Sequence, residues 1–418
     1  MDTIFAEATP PGRGGVSVIR ISGLQSKEAL ESLAGAIPEA RKTYLRGLRD
    51  GDDLIDRALV IRFEKGESFT GEDVAELHLH GAPVIVQRLE AALVSFGLRR
   101  AEAGEFTRRA FLNGRIDLSE AEGLADLLAA ETESQRKLAM RAAEGEVGRL
   151  TETLRQSLIR AGALVEASID FADEDVPEDI PAEVFTLIDT VQTELRRILH
   201  QFPATERLRQ GYEVAIIGPP NAGKSTLLNY IAKREVALVS DIAGTTRDIL
   251  ELRVDLRGLS VTFLDTAGLR ESQDPVETMG VERAVRRARD ADLRIHLSPN
   301  GVPQFDVADG DLVVRSKSDL SNDAEGISAH SGQGVENLLN KIYAFLRGKA
   351  ADSGIVSHKR QAEAISRAID SLDRSKSGLP ELAAENIRLA IRELSAMVGR
   401  IDAEDYLDEI FSSFCIGK

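Results

Sequence analysis

The spacing of apolar residues changes character along the chain, and each change marks a boundary. From residue 1 to about 118 the pattern is short and strand-like. Ile4-Phe5-Ala6 runs into a Pro/Gly turn at Pro10-Pro11-Gly12, Val16-Ser17-Val18-Ile19-Arg20-Ile21 is rich in β-branched residues, and residues 58–63 repeat the signal. Residues 74–80 alternate strictly, which sets Glu76, His78 and His80 on one face and Ala75, Leu77 and Leu79 on the other. Helical spacing appears at residues 26 to about 35 and at 84–95. A small α+β domain is expected.

A helical period takes over at residues 119–202. Its apolar stripes are Leu124, Leu127 and Leu128, then Leu150, Leu154, Leu158 and Val165, then Ile188, Val191, Leu195, Ile198 and Leu199. An acidic break at residues 173–179 separates two of them. The period stops near Gln210 and resumes near His358, with Ile365, Ile369 and Leu372, then Ile387, Ile391, Leu394 and Val398. Between those points the pattern is α/β. The expected fold class is multidomain, with a helical domain (119–209 and 349–418) interrupted by an α/β domain (210–348) and preceded by the α+β domain (1–118).

The inserted segment opens with Gly218-Pro219-Pro220-Asn221-Ala222-Gly223-Lys224-Ser225-Thr226, which fits G-x-x-x-x-G-K-[ST]. Val214-Ala215-Ile216-Ile217 before it reads as a buried strand, and Leu227-Leu228-Asn229-Tyr230-Ile231 after it can carry a helix. A strand, loop and helix in this order aim several N–H groups and a positive helix end at one spot, which suits a triphosphate. Lys224 would reach the β- and γ-phosphates and Ser225 would ligate Mg²⁺.

Four further stretches make a GTPase of this P-loop. Asp265-Thr266-Ala267-Gly268 follows the apolar run at 261–264, placing Asp265 near Mg²⁺ and the Gly268 amide near the γ-phosphate. Gly244-Thr245-Thr246-Arg247-Asp248 can bring a Thr hydroxyl, that of Thr246, to Mg²⁺. Ser316-Lys317-Ser318-Asp319 stands where a GTPase has Asn-Lys-x-Asp, and Ser328-Ala329 where the second base loop belongs. Two positions depart from the Ras-like pattern. Ser316 replaces Asn in base recognition, although Asp319 can still accept from guanine. Leu269 stands where Ras-like enzymes place a water-orienting Gln, and Leu cannot do that work.

Charge and cysteine content narrow the setting. Net charge is −17, so contact with RNA needs a local patch or a basic partner. One cysteine excludes an internal disulfide. No basic leader and no spanning-length apolar run is legible, so a cytoplasmic location without membrane is expected. Glu76, His78 and His80 on one strand face lack an obvious further strong ligand, which favours a solvated face or pocket wall over a metal site. Residues 104–118 mix aromatic and basic side chains with a turn signal, and a loop capping a core is the plainer reading.

Several segments together carry a resemblance. They are Ala8-Thr9-Pro10-Pro11-Gly12-Arg13-Gly14, Phe69-Thr70-Gly71-Glu72-Asp73, Gly104-Glu105-Phe106 with Ala110-Phe111-Leu112-Asn113-Gly114, the P-loop with Asn221, Ile242-Ala243-Gly244-Thr245-Thr246-Arg247-Asp248, and the tail Phe414-Cys415-Ile416-Gly417-Lys418. Over nearly its whole length the chain resembles the MnmE (TrmE) family of tRNA-modification GTPases. The resemblance implies a folate-binding N-terminal domain that forms a homodimer, a helical domain and an inserted Ras-like G domain. It implies GTP hydrolysis to GDP alongside the FAD-dependent flavoprotein MnmG (GidA), in an expected heterotetramer. The substrate it implies is tRNA, whose wobble uridine would gain an aminomethyl-type group at carbon 5 from 5-formyl- or methylene-tetrahydrofolate.

By motif position the resemblance assigns Arg20, Glu76, Arg115 and Lys418 to the folate pocket, with Arg115 where the family more often has Lys. It implies K⁺ held by Asn221, Ser240, Ile242 and Thr245, offsetting charge that no side chain offsets at Leu269. Asp241, Ala243 and Gly244 complete that nucleotide loop, and Glu277, with Glu282 as alternative, orients the water. The resemblance also implies that Cys415 is essential for modification, as nucleophile or acid. Two rival readings fit part of the pattern: a switch GTPase of ribosome assembly, and a folate-dependent transferase that its G domain merely gates.

Overall fold

The computed structural model describes residues 2–37, 39–170, 180–237, 251–265, 286–321, 326–376 and 379–401, with residues 407, 410, 411, 414 and 417. Two compact units account for the chain, one of residues 1–125, 147–152 and 394–418, the other of residues 126–146 and 153–393.

In the first unit β1 (Ile4–Glu7), β2 (Ser17–Ser22), β3 (Tyr44–Asp50), β4 (Asp53–Phe63), β5 (Val74–Leu79) and β6 (Arg99–Arg100) form one sheet in the order β3-β4-β5-β2-β1-β6. Only β1 and β6 run parallel. Helices Ser26–Ala34 and Pro83–Ser95 supply Leu30 and Leu89 to a core with Phe5, Ile19, Ile21, Leu77 and Leu79. The strict alternation in β5 resolves as expected, with Ala75, Leu77 and Leu79 buried and Glu76 and His78 on the opposite face. The hairpin of β3 with the first half of β4 was not legible, because β3 buries only Leu48.

Residues 105–112 form a helix, Glu105–Leu112, which corrects the loop reading. Burial of Phe106 and Ala110, four apart, supplies the apolar stripe that its many polar residues obscure. Its cap, Gly104, has φ +66, and a Cβ there would lie 2.4 Å from the Phe411 carbonyl oxygen. Phe411 and Phe414 in turn pack with Leu118, Ala121 and Phe111. Gly417 has φ +98 and leaves no room for a side chain against the Glu7 carbonyl, so the described tail residues lie along the end of β1.

Arg109 is the buried centre of this unit's ion pairs. Its guanidinium donates to the Asp2 carbonyl (2.8 Å), the Asp2 carboxylate (3.0 Å), Glu72 Oε2 (3.1 Å) and Glu105 Oε1 (2.9 Å). Ser22 Oγ also donates to Glu72 (2.7 Å), and Arg99 bridges Asp2 and Glu105. Two of the segments that carry the resemblance, at 69–73 and 104–106, are therefore held to one guanidinium. The only local signal was the Glu105/Arg109 spacing of four.

The second unit contains helices Glu133–Ala143, Ala182–Gln210 and Lys359–Ser375, with most of Glu146–Asp170 and Pro380–Met397. The stripes at 154, 158 and 165, at 188, 191, 195 and 198, and at 365, 369 and 372 are buried. The first stripe is not. In helix Leu118–Ala129 the buried positions are 118, 119 and 121–123; Leu124 is partly buried against the Phe411 cluster, and Leu128 is exposed. The acidic break at 173–179 lies outside the described residues.

Between these helices lies a second sheet: β7 (Tyr212–Ile217), β8 (Val236–Ala237), β9 (Glu251–Leu256), β10 (Leu259–Asp265), β11 (Leu293–Ser298) and β12 (Leu312–Arg315). The order is β12-β11-β7-β10-β9-β8, with the first four strands parallel. Val214, Ile216, Phe263, Ile295 and Leu297 are fully or nearly fully buried, which explains their unbroken apolar runs. Helices Lys224–Arg234 and Val335–Ala350 pack on the sheet through Leu227, Ile231, Leu338 and Ile342. A parallel sheet of this kind gathers its ligand-binding loops at the carboxyl ends of the strands.

Replacing Arg109 with Met should destabilise the chain by roughly 2–3 kcal/mol, because the partly buried Glu72 would lose its cationic partner and Glu105 would keep only Arg99. Urea unfolding checks this. Hydrogen bonding from Arg99 holds the Asp2 carboxyl down at about 2, well below its ordinary value. A lowered carboxyl pKa contributes stability above the unfolded value and loses it as pH falls through the folded one. Asp2→Asn should therefore cost about 1 kcal/mol or less at neutral pH, since Asp2 is more than half exposed. That difference should vanish as pH falls from about 4 to about 2.

Candidate functional site

Two parallel strands fix the loop at the end of β7. Gly218 lies so close to β11 that a Cβ would stand 2.1 Å from the Leu297 carbonyl oxygen, and only glycine fits. Asn221 takes φ +61 and Gly223 φ +99, turning the chain sharply into helix Lys224–Arg234. Lys224 folds back over this loop and donates to the carbonyls of Gly218 (2.7 Å) and Pro219 (2.9 Å). Burial pushes its ammonium pKa down, and Asp265 partly offsets this.

Asp265 ends β10, level with Ile216 of β7, and is buried. It accepts a hydrogen bond from Ser225 Oγ at 2.8 Å. A hydroxyl and a carboxylate held this close are hard oxygen ligands that fit Mg²⁺. The expected P-loop geometry is present, and Lys224, Ser225 and Asp265 converge on it.

The base loops are held beside each other by backbone hydrogen bonds. Ile327 N–H donates to the Arg315 carbonyl (2.8 Å), Ser318 N–H to the Ile327 carbonyl (3.1 Å), and Ser316 N–H to the Ser298 carbonyl (2.9 Å). Lys317 adopts φ +57 between them, and Asp319 is exposed in the short turn Ser318–Ser321. Ser328 is buried, with its hydroxyl accepting from Ser331 N–H (3.2 Å); Ala329 follows it, partly buried. The hydroxyls of Ser316 and Ser318 are buried with no hydrogen-bond partner among the described residues. Ser316, where Asn is expected, thus leaves a buried hydroxyl unsatisfied among the described residues.

On the outer face of the first sheet, Arg20 and Glu76 are cross-strand partners. Arg20 Nε donates to Glu76 Oε1 at 2.9 Å, and its guanidinium stands 5.7 Å from the centre of the Phe106 ring. His78 Nε2 lies 3.5 Å from Glu76, while His80 pairs with Asp56 at 2.8 Å. Arg115 is exposed with its stem over Gly71, and no hydrogen bond among the described residues joins it to the Arg20–Glu76 pair. Below the Pro/Gly turn, Ser17 Oγ donates to Glu7 at 2.6 Å and Thr9 Oγ1 accepts from Val18 N–H. That network joins residues across two strands, so no local spacing reveals it.

Among the described residues no group of three or more His, Cys, Asp or Glu side chains could hold a metal. No helix among them is long and apolar enough to cross a membrane. Ser240, Asp241, Ile242, Ala243, Gly244, Thr245, Thr246, Thr266, Ala267, Gly268, Glu277, Glu282, Cys415 and Lys418 lie outside the described residues.

Comparison with known proteins gives two family models and full-length relatives. A family model described as the MnmE helical domain matches residues 118–415, and one described as the GTP-binding protein TrmE N-terminus matches residues 3–115. The chain is 69% identical over 419 residues to a Paracoccus denitrificans protein named tRNA modification GTPase MnmE, with all of both chains covered. It is 51% identical over 428 residues to the protein of that name from Cereibacter sphaeroides, again with all of both covered. Among solved structures it is similar to the G domain of the T. maritima FeoB iron transporter, covering 32% of this chain and 98% of that one. That match has 22% identity and a TM-score of 0.25, too weak to add to the assignment. The chain belongs to the MnmE family of tRNA modification GTPases.

The orphaned hydroxyl at 316 generates a test. Ser316→Asn should tighten GDP binding about fivefold to tenfold, the scale of one recovered hydrogen bond of ~1 kcal/mol. Fluorescent-nucleotide titration measures it, and an unchanged or weaker affinity would remove Ser316 as the limiting position.

Proposed function

We propose that this chain hydrolyses GTP in order to drive modification of the wobble uridine of certain tRNAs, as a cytoplasmic homodimer working with a FAD-dependent flavoprotein partner. The observation that carries the GTPase part is the convergence of Lys224, Ser225 and Asp265 on the loop after β7. Family membership supports the tRNA part. Residues 1–118 would form the folate-binding and dimerising domain, 119–209 and 349–418 the helical domain, and 210–348 the G domain.

The chain's own residues would divide the work as follows. Lys224 exchanges its two carbonyl acceptors for phosphate oxygens, which lowers the cost of removing an ammonium from water. Backbone N–H groups of residues 221–226 and the start of helix Lys224–Arg234 cradle the phosphates. Asp319 and Ser316, with Lys317, Ser328 and Ala329, hold guanine. Ser225 and Thr246 would hold Mg²⁺, which offsets phosphate charge. Asn221, Ser240, Ile242 and Thr245 would hold K⁺, which supplies positive charge where Leu269 offers nothing. Glu277, or Glu282, would orient the attacking water. The Arg20–Glu76 pair beside Phe106 presents donor, acceptor and aromatic surfaces, which suit the flat polar heterocycle of a tetrahydrofolate; Arg115 and Lys418 would meet its acidic end. Cys415 would act in the modification itself.

The test is GTP turnover in K⁺ and in Na⁺ at equal ionic strength, with association of G domains followed in both. Turnover should be at least about tenfold faster in K⁺, since offsetting transition-state charge is worth on the order of 10³ or more where an arginine does it. Equal rates would remove the cation site and leave the GTPase reading in place. Calorimetry with 5-formyltetrahydrofolate separates the rival: absence of binding would favour a GTPase switch without folate chemistry.

A further inference from the structure

We propose that the β9–β10 hairpin is a coupling element, whose Arg253–Glu131 ion pair and Gly258–Ser134 hydrogen bond pass the state of the nucleotide site to helix Glu133–Ala143. The inference rests on the GTPase reading of that site and adds a route out of it. One end of the hairpin is in the site, because β10 terminates at Asp265, which holds Ser225. β9 begins at Glu251, a few positions after Thr245 and Thr246 in the sequence. A displacement at Asp265 or at Glu251 therefore enters the hairpin along its length. The two strands are paired from Leu259↔Leu256 to Leu264↔Glu251, so they move together.

The other end is a tight turn, Arg257 at φ +57 and Gly258 at φ +91, a stiff two-residue connection. It does not end in solvent. The Gly258 carbonyl accepts from Ser134 N–H at 3.2 Å. Ser134 is the second residue of helix Glu133–Ala143, so this is one of the N–H groups that a helix cannot satisfy internally. Close by, Arg253 Nε lies 2.9 Å from Glu131 Oε2, just ahead of the Thr132 cap of the same helix. The hairpin thus supplies both a hydrogen-bond acceptor and a cation to the start of that helix.

From there the contacts continue to both points where the chain passes between helices and sheet. Gln135, which completes the capping box with Thr132, donates to the Arg209 carbonyl at 2.9 Å. The Arg209 guanidinium bonds the Ser357 carbonyl (3.1 Å) and lies 3.5 Å from Asp126, which also pairs with His358 (2.8 Å). Asp126, Gln135, Leu138, Arg209 and Arg253 line a cleft of about 230 Å³. The joint is therefore polar with open space beside it, rather than a close-packed apolar seam. Such a joint can take up two arrangements at low cost.

Hydrogen exchange on the full chain tests this, with Mg²⁺ and either GDP or a non-hydrolysable GTP analogue. Amides of helix Glu133–Ala143 should differ in exchange by roughly fivefold or more between the two nucleotides in the unaltered protein. Arg253→Met and Glu131→Gln should each lose most of that difference while nucleotide still protects amides of residues 218–226. The double exchange Glu131→Arg with Arg253→Glu should restore it, which a merely structural role would not require. P-loop protection with no nucleotide-dependent change in that helix, or a change that survives both single variants, would overturn the coupling alone. Loss of P-loop protection in the unaltered protein would overturn the GTPase reading and the coupling together.

Discussion

The nucleotide site depends on the register of three parallel strands. β7 is level with β10, which brings Asp265 beside Ile216, and with β11, which brings the Leu297 carbonyl against Gly218. A slip of one residue would exchange the two buried faces of these strands and carry Asp265 away from Ser225. The apolar runs at 214–216 and 259–264 are thus constraints on chemistry as well as on packing. They hold a carboxylate and a hydroxyl 2.8 Å apart at the end of a sheet. The lysine of the same loop, meanwhile, is held over carbonyls that a phosphate can replace.

What the sequence made legible follows from how local each signal is. The P-loop is a contiguous motif whose strand, loop and helix are dictated within about twenty residues, and it appears as expected. The face assignment of β5 needed only a period of two. The helix Glu105–Leu112 was missed because its stripe is two residues, Phe106 and Ala110, among charged neighbours whose partners Asp2 and Glu72 are remote in sequence. The stripe through Leu127 and Leu128 differs in the opposite way: the period was clear, but periodicity shows only which residues share a face, and Leu128 stays exposed. At Ser316 the motif named the departure from Asn, while the orphaned hydroxyl needed the tertiary structure to be seen.

The arginines of this chain also bear on how an acidic protein can take part in tRNA chemistry. Arg20, Arg99, Arg109, Arg209 and Arg253 all face carboxylates, and Arg109 faces three. A guanidinium already neutralised by carboxylates adds little to the release of counterions from a polyanion, which is where non-specific nucleic-acid affinity arises. The surplus of acid, 69 Asp and Glu against 52 Lys and Arg, works in the same direction. These five arginines thus hold carboxylates of their own chain. Contact with tRNA would then have to come from a restricted basic patch or from a partner's surface.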